Sequence, residues 1–172
     1  KEFEGEPGIW AYSESPLVHG DSVVVTPGGS QATMLAVNRK DGAVVWKSAV
    51  PGGDAAAYAS AQVAKIGGVE QYIQFVQKGL VGVSAADGKF LWRYDHTAKG
   101  SPANIPTPVL DGALIYTATS RGGSGLVRIG SAPDFAPEEV YFGQKLPKAI
   151  GGSVKVGPNL FGTTGQALLC VD

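Results

Sequence analysis

Twelve consecutive residues, Leu35 to Trp46, lie over a second twelve, Val81 to Trp92, at a constant offset of 46 and without a gap. Val37 and Val83, Asp41 and Asp87, Gly42 and Gly88, and Trp46 and Trp92 coincide outright, and the remaining apolar positions mostly match in character. Leu126-Val127-Arg128-Ile129 falls 46 residues after Leu80-Val81-Gly82-Val83, and Leu168-Leu169-Cys170-Val171 comes 42 residues after that. A second element recurs in step. Ser15-Pro16-Leu17-Val18-His19-Gly20-Asp21 is matched two periods later by Thr107-Pro108-Val109-Leu110-Asp111-Gly112-Ala113, with Ser60-Ala61-Gln62-Val63 in the slot between them and Gly152-Ser153-Val154-Lys155-Val156 in the fourth. The chain therefore holds nearly four copies of a unit of about 46 residues, and a period of that size belongs to repeat architectures.

Each unit reads as four short strands. In the second they run from about Ser60 to Ile66, Gln71 to Gln77, Gly79 to Ser84 and Phe90 to Tyr94, with Gly67-Gly68 as the first turn and Asp87-Gly88 as a tight last turn that needs positive φ. Gly20-Asp21, Gly28-Gly29 and Asp41-Gly42 do the same work in the first. Four strands every 40 to 50 residues fit the blade of a β-propeller. A lone blade cannot bury both faces, so neighbouring blades stack, with Trp46 and Trp92 as wedges between them. The expected fold is all-β, a propeller arc of four-stranded antiparallel blades over about 12–48, 58–95, 103–143 and 150–172, the last incomplete. In the third unit, residues 130–139 replace the Asp-Gly turn by a longer Pro-containing connection, and Tyr141 or Phe142 stands where Trp is expected. Both ends read as unfinished. The arc is either part of a ring of seven or eight blades, or a closed four-bladed ring in which Lys1-Glu2-Phe3-Glu4 supplies the outer strand of the last blade.

Composition agrees and removes some function classes. With 25 Gly and 11 Pro, punctuation interrupts almost every block of ten residues, and no continuous helical period survives. Fourteen basic and 15 acidic residues give a net charge of −1 without a basic block, so nothing supplies the phosphate-neutralising surface of a nucleic-acid binder. No apolar run approaches the roughly 18 residues of a membrane span. Cys170 is the single cysteine, which excludes an intrachain disulfide, and its apolar setting reads as a buried, inert thiol.

The repeated form, a small residue and Val followed by Asp-Gly, two apolar residues and Trp, resembles the pyrroloquinoline-quinone-type propeller repeat, best at Leu35 to Trp46 and Val81 to Trp92. The phrases Tyr12 to Val18, Ala49 to Asp54 and Ala103 to Pro108 are similar to those of secreted bacterial propellers of this superfamily. The resemblance implies export to the periplasm or beyond. One branch, the quinoprotein alcohol dehydrogenases, binds pyrroloquinoline quinone and Ca²⁺ on the axis and uses an Asp as base. Its adjacent-cysteine ring cannot form with one Cys, and its cofactor contacts have no matching set here. Another branch is the lipoprotein scaffold of the outer-membrane β-barrel assembly machine, which holds partners on its propeller. The resemblance implies a binding or scaffolding module, with a quinoprotein-type oxidoreductase completed by further blades as the alternative. The partners it implies are the remaining blades or a second copy, together with a protein, small-molecule or polymer ligand.

Equivalent loops of rotated blades form a ring around one mouth of the channel. The entries Tyr12-Ser13-Glu14, Tyr58-Ala59-Ser60, Asn104 to Thr107 and Lys148 to Ile150 align in this way, so Tyr12, Glu14, Tyr58, Ser60, Asn104, Thr107 and Lys148 are candidates for a shared polar site. The alternative for each is that it caps a blade end and satisfies backbone groups. An aromatic groove around Trp10, Tyr12 and Tyr58 would suit a polymer. Asp54 reads as a loop residue rather than a Ca²⁺ ligand, since that ion takes several oxygens. His19 and His96 are isolated, read as exposed, and have no partner at zinc spacing. No metal site is expected. Val156 to Gly162 reads as strand, turn and strand, Gly122 to Gly125 as a hairpin turn, and no Ser/His/Asp triad assembles.

Overall fold

The structure, a computed structural model, describes residues 2–172. The chain lays down strands β1 (Leu17–His19), β2 (Ser22–Val25), β3 (Met34–Asn38) and β4 (Val44–Ser48), then β5 (Gln62–Ile66), β6 (Val69–Val76), β7 (Gly79–Ser84) and β8 (Phe90–Tyr94). Strands β9 (Val109–Asp111), β10 (Leu114–Thr119), β11 (Gly123–Ile129) and β12 (Pro137–Gly143) follow, and β13 (Ser153–Val156), β14 (Asn159–Thr163) and β15 (Leu168–Val171) complete the described chain. Each group pairs only in sequence order and antiparallel, giving three four-stranded sheets and one of three strands. These are the blades anticipated from the repeat. One short 3-10 turn, His96–Ala98, interrupts them. Among the described residues no helix is long and apolar enough to cross a membrane.

Alternation along the strands explains the stacking, because successive side chains point to opposite faces. In the second blade Tyr72, Val76, Val81 and Val83 pack against Val24, Met34, Ala36 and Trp46 of the first. Ile73, Phe75 and Leu80, which alternate with them, and Trp92 of β8 pack against Ile115, Val127 and Ile129 of the third. A smaller cluster of Tyr116, Ala118 and Leu160 joins the third blade to the fourth. None of these clusters joins the fourth blade to the first, so the described sheets form an open arc.

The Asp-Gly turns are built differently from the expected tight ones. Asn38 and Ala43, and likewise Ser84 and Lys89, close loops of four residues by backbone hydrogen bonds. Only the glycines adopt positive φ, +75° at Gly42 and +71° at Gly88. The aspartates act through their side chains. Asp41 Oδ1 accepts the Ala43 N–H at 2.9 Å, and Asp87 Oδ1 accepts the Lys89 N–H at 3.1 Å. This is the Asx-turn chemistry that makes Asp a turn residue.

The tryptophans owe their wedge position to a bulge. In the first three blades the ladder between third and fourth strands slips just past Ala36, Gly82 and Leu126, which face Trp46, Trp92 and Tyr141. Tyr141, rather than Phe142, therefore takes the wedge place in the third blade. The same register puts Leu126 44 positions after Gly82, a correction to the 46 read by matching Leu126 to Leu80. The second blade has the longer first hairpin: Gln62 faces Ile73, whereas Val109 faces Tyr116. Trp46 reaches across to the second blade, where its Nε1 donates to the Ala85 carbonyl at 3.1 Å and its ring covers Gly88. Trp92 packs flat on Gly82 and donates to Gln71 Oε1 at 2.7 Å.

A Cβ at Gly82 would run into the Trp92 indole. Because a packed core resists added volume, Gly82→Ala is expected to lower stability by about 2 kcal/mol in urea denaturation. A loss below about 0.5 kcal/mol would contradict this packing.

The third blade's long connection brings Phe135 back, with φ +49°, to pack beside Ile66 and Trp92 in the core shared with the second blade. The insertion is thus part of the seam. Two expectations are corrected at the ends. Cys170 is exposed rather than buried: it faces Phe161 across the ladder, on the side of the fourth blade turned away from the third. Val154, Val156 and Leu168 are exposed in the same blade. Glu2-Phe3-Glu4 pairs with none of the strands and instead lies by the first blade, with Phe3 near Lys47; Lys1 lies outside the described residues.

Candidate functional site

The blade entries are held together by a hydroxyl stitch. The Ser15 N–H donates to Ser60 Oγ at 2.9 Å, and the Ser60 N–H donates to Thr107 Oγ1 at 3.4 Å. Each hydroxyl stands where the previous blade's backbone needs an acceptor. The fourth blade has Gly152 in the aligned slot, without a hydroxyl to continue the series. Asn104, almost wholly buried, donates from Nδ2 to the carbonyls of Val76 at 2.7 Å and Gln77 at 3.0 Å, and its own carbonyl accepts the Tyr58 N–H. Its Oδ1 is a buried acceptor without a protein partner. The Tyr58 oxygen accepts the Trp10 N–H, and the two rings lie 5.7 Å apart.

Glu14 belongs to a different constellation. Its Oε1 accepts the Thr26 N–H, and its Oε2 accepts from Gln74 Nε2 at 2.9 Å. Gln74 also donates to Thr26 Oγ1 at 2.6 Å and to the Ala59 carbonyl at 3.2 Å. Burial pushes the Glu14 carboxyl above the usual carboxylate range, opposed by the hydrogen bonds from Thr26 and Gln74. Tyr12 is half-exposed, donates to the Pro27 carbonyl at 2.8 Å, and lines with Glu14 an open pocket of about 630 Å³ bounded by Phe3, Pro7 and Leu35. Tyr12 and Glu14 therefore share one pocket at the first blade, whereas Tyr58, Ser60, Asn104 and Thr107 are tied into contacts between blade entries.

The raised Glu14 pKa has a signed consequence. An acid that binds its proton more tightly when folded contributes stability that is fully present below its ordinary range and lost as pH rises through that range to the folded value. Relative to Glu14→Gln, the native chain should therefore lose stability as pH rises above the ordinary carboxylate range, which begins at about pH 4. Paired urea titrations test this, and a difference that grows with pH would contradict it.

Exposed side chains of the entries meet elsewhere. Trp10, Pro102, Ile105 and Ile150 line a cleft of about 240 Å³ with Arg121 and Lys148. Through Ser120, Lys148 and Ile150 it runs into a second hollow of about 470 Å³ that ends at Thr164 and Gly165. This groove gathers the entries of the third and fourth blades, the β10–β11 and β14–β15 turns and the segment before β1. Of the aligned candidates it takes only Lys148. Arg121, in a turn, carried no signal in the sequence, and Ile150 falls in an aligned entry but is apolar, so a search for a polar ring passes over it.

Two charged clusters serve the framework. Asp54, fully buried, pairs with Arg93, whose Nη1 and Nη2 reach its carboxylate at 2.6 and 3.1 Å, and Asp54 Oδ1 also accepts the Lys78 N–H at 2.9 Å. It is a loop residue, as read, and its burial anchors that loop to the second blade. The histidines are not isolated. His19 Nδ1 lies 3.0 Å from the Tyr72 hydroxyl. His96 stacks on Phe142 at 3.8 Å, with its Nδ1 2.7 Å from Glu139, which also accepts from Tyr94 at 2.6 Å. The Tyr94 hydrogen bond, with His96 beside it, holds Glu139 below the usual carboxylate range.

The family described as outer membrane protein assembly factor BamB matches residues 8–172. The chain belongs to this family. Among solved structures, BamB from Moraxella catarrhalis superimposes with a TM-score of 0.63 at 14% identity, over 90% of this chain and 43% of that one. The likeness establishes the fold, and the chain spans less than half the length of that BamB. No curated protein matches. The residues here do not fit a Ca²⁺-held quinone. Asp54 is committed to Arg93 and Glu14 to Thr26 and Gln74, and no three His, Cys, Asp or Glu side chains cluster for a metal among the described residues. No catalytic step is derived through that group.

Proposed function

We propose that the chain is the partner-holding part of an exported envelope scaffold, and that the groove at the entry-loop mouth is where it holds that partner. The observation that carries this reading is the exposure of Trp10 (63%) and Ile150 (64%) on the loops that form the groove. Large apolar side chains gathered in a groove on an ordered surface mark interaction sites. The remaining blades of a larger ring, or of a second copy, would cover the apolar far face of the fourth blade. The periplasmic setting is supported by the outer-membrane role in the family's description.

Photo-crosslinking tests the site. A benzophenone amino acid at position 150 of the full chain, expressed in its host, is expected to give a discrete adduct with an envelope protein. The same probe at position 40, on an outer turn, should give none. Equal adducts at both positions, or none at either, would overturn the assignment.

A further inference from the structure

We infer that the mouth groove selects an acidic polypeptide segment whose carboxylates alternate with bulky apolar side chains. The inference rests on the partner-holding role proposed above and names the chemistry of that partner. Its first support is charge. Arg121 and Lys148 line the groove, and neither it nor its continuation toward Gly165 is lined by an Asp or a Glu. Neither cation forms an ion pair among the described residues, and Arg121 stands apart from the other arginines, Arg39, Arg93 and Arg128, each of which has a carboxylate partner. The nearest polar partner of Lys148 Nζ is the neutral amide of Gln144, at 3.0 Å.

The second support is shape and polarity. Trp10 is braced by Tyr58 through the hydrogen bond to its backbone and the ring contact, so its exposed indole is presented on a fixed mount. A braced aromatic loses little conformational freedom on binding, which makes it an anchor for another chain. Pro102, Ile105 and Ile150 extend the apolar floor, and the groove runs on past Lys148 instead of closing around a compact ligand. An extended strand places alternate side chains on opposite sides. Such a segment can lay its apolar set on Trp10 and Ile150 and turn its carboxylates to Arg121 and Lys148.

Fluorescence anisotropy with the full chain tests this, using labelled octapeptides that alternate leucine and phenylalanine with aspartate, asparagine or lysine. The aspartate peptide should bind about tenfold more tightly than its asparagine twin, as two exposed ion pairs allow, and the gap should close in high salt. The double variant Arg121→Glu/Lys148→Glu should reverse the order in favour of the lysine peptide. Trp10→Ala should weaken every peptide by about tenfold. All three positions are on the surface, and circular dichroism checks that the variants remain folded. Equal affinity for the aspartate and asparagine peptides, or an order unmoved by charge reversal, would overturn the inference. So would binding of an acidic polysaccharide such as alginate in place of every peptide. A position-150 crosslink that survives those results would leave the partner-holding role standing, whereas its absence would remove the role itself.

Discussion

Trp92→Ala should lower the unfolding free energy by about 4 kcal/mol, within the range for removing a large buried aromatic side chain. Two losses combine. The indole fills the seam between the second and third blades, where it is almost wholly buried beside Ile115, Val127 and Phe135. Its Nε1–H also satisfies the buried Gln71 amide at 2.7 Å, and that acceptor would be left unpaired. Trp92→Phe separates the terms, since it keeps most of the packing and removes the donor, and should lose less than the alanine variant. Trp10→Ala is the control: the ring is 63% exposed, so the change should stay within about 0.5 kcal/mol. Urea denaturation followed by circular dichroism measures all three. A Trp92→Ala loss no larger than that of Trp10→Ala would contradict the wedge role.

Asp54→Ala is expected to lower stability by about 3 kcal/mol. Removing one partner of a buried pair strands the other, which is far more damaging than the net contribution of the pair suggests. Asp54 is fully buried and the Arg93 side chain is 19% exposed, so the lower end of the range for buried pairs applies. Asp95, 2.6 Å from Arg93 Nε, retains part of the arginine's compensation. The variant also strips the Lys78 N–H of its acceptor. Asp54→Asn keeps that acceptor and should lose less. The damage should be local, with faster amide hydrogen exchange in residues 51–57 than in the β-strands. An alanine variant as stable as the native chain would show that the pair does not anchor the loop.

The sequence made the ladder legible and left the seams mostly hidden, for a physical reason. Hairpin order, the Asp-Gly turns and the tryptophan positions are local or strictly periodic, so one copy explains the next. Gln71 and Gln74 sit in β6 beside Tyr72, Ile73, Phe75 and Val76, and nothing in the local pattern pairs them. Their meaning depends on Trp92, Thr26 and Glu14, which are up to 60 residues away in sequence. Asp54 and Arg93 are likewise 39 residues apart, and no spacing rule joins them. Phe135 entered the core from an insertion that the period could only mark as an exception. Aligning the repeat brings the entry loops together and singles out Trp10 and Lys148, but not Arg121 or Ile150, among the residues that line the groove. Most of the aligned polar residues serve backbone and neighbouring blades, while the groove is lined by Trp10, Arg121, Lys148 and Ile150.

The account rests on glycines lying under tryptophan rings, Gly88 across the seam from Trp46 and Gly82 within the blade that carries Trp92, and nuclear Overhauser measurements reach those contacts directly. Contacts from the Trp46 indole to the Gly88 α-protons and from Trp92 to Gly82, with both glycine signals shifted upfield by the rings, are the predicted result. The Tyr141 ring should show contacts to the Leu160 methyls in the third seam. Glycine signals at ordinary positions, with no contact to either indole, would contradict a stack of blades.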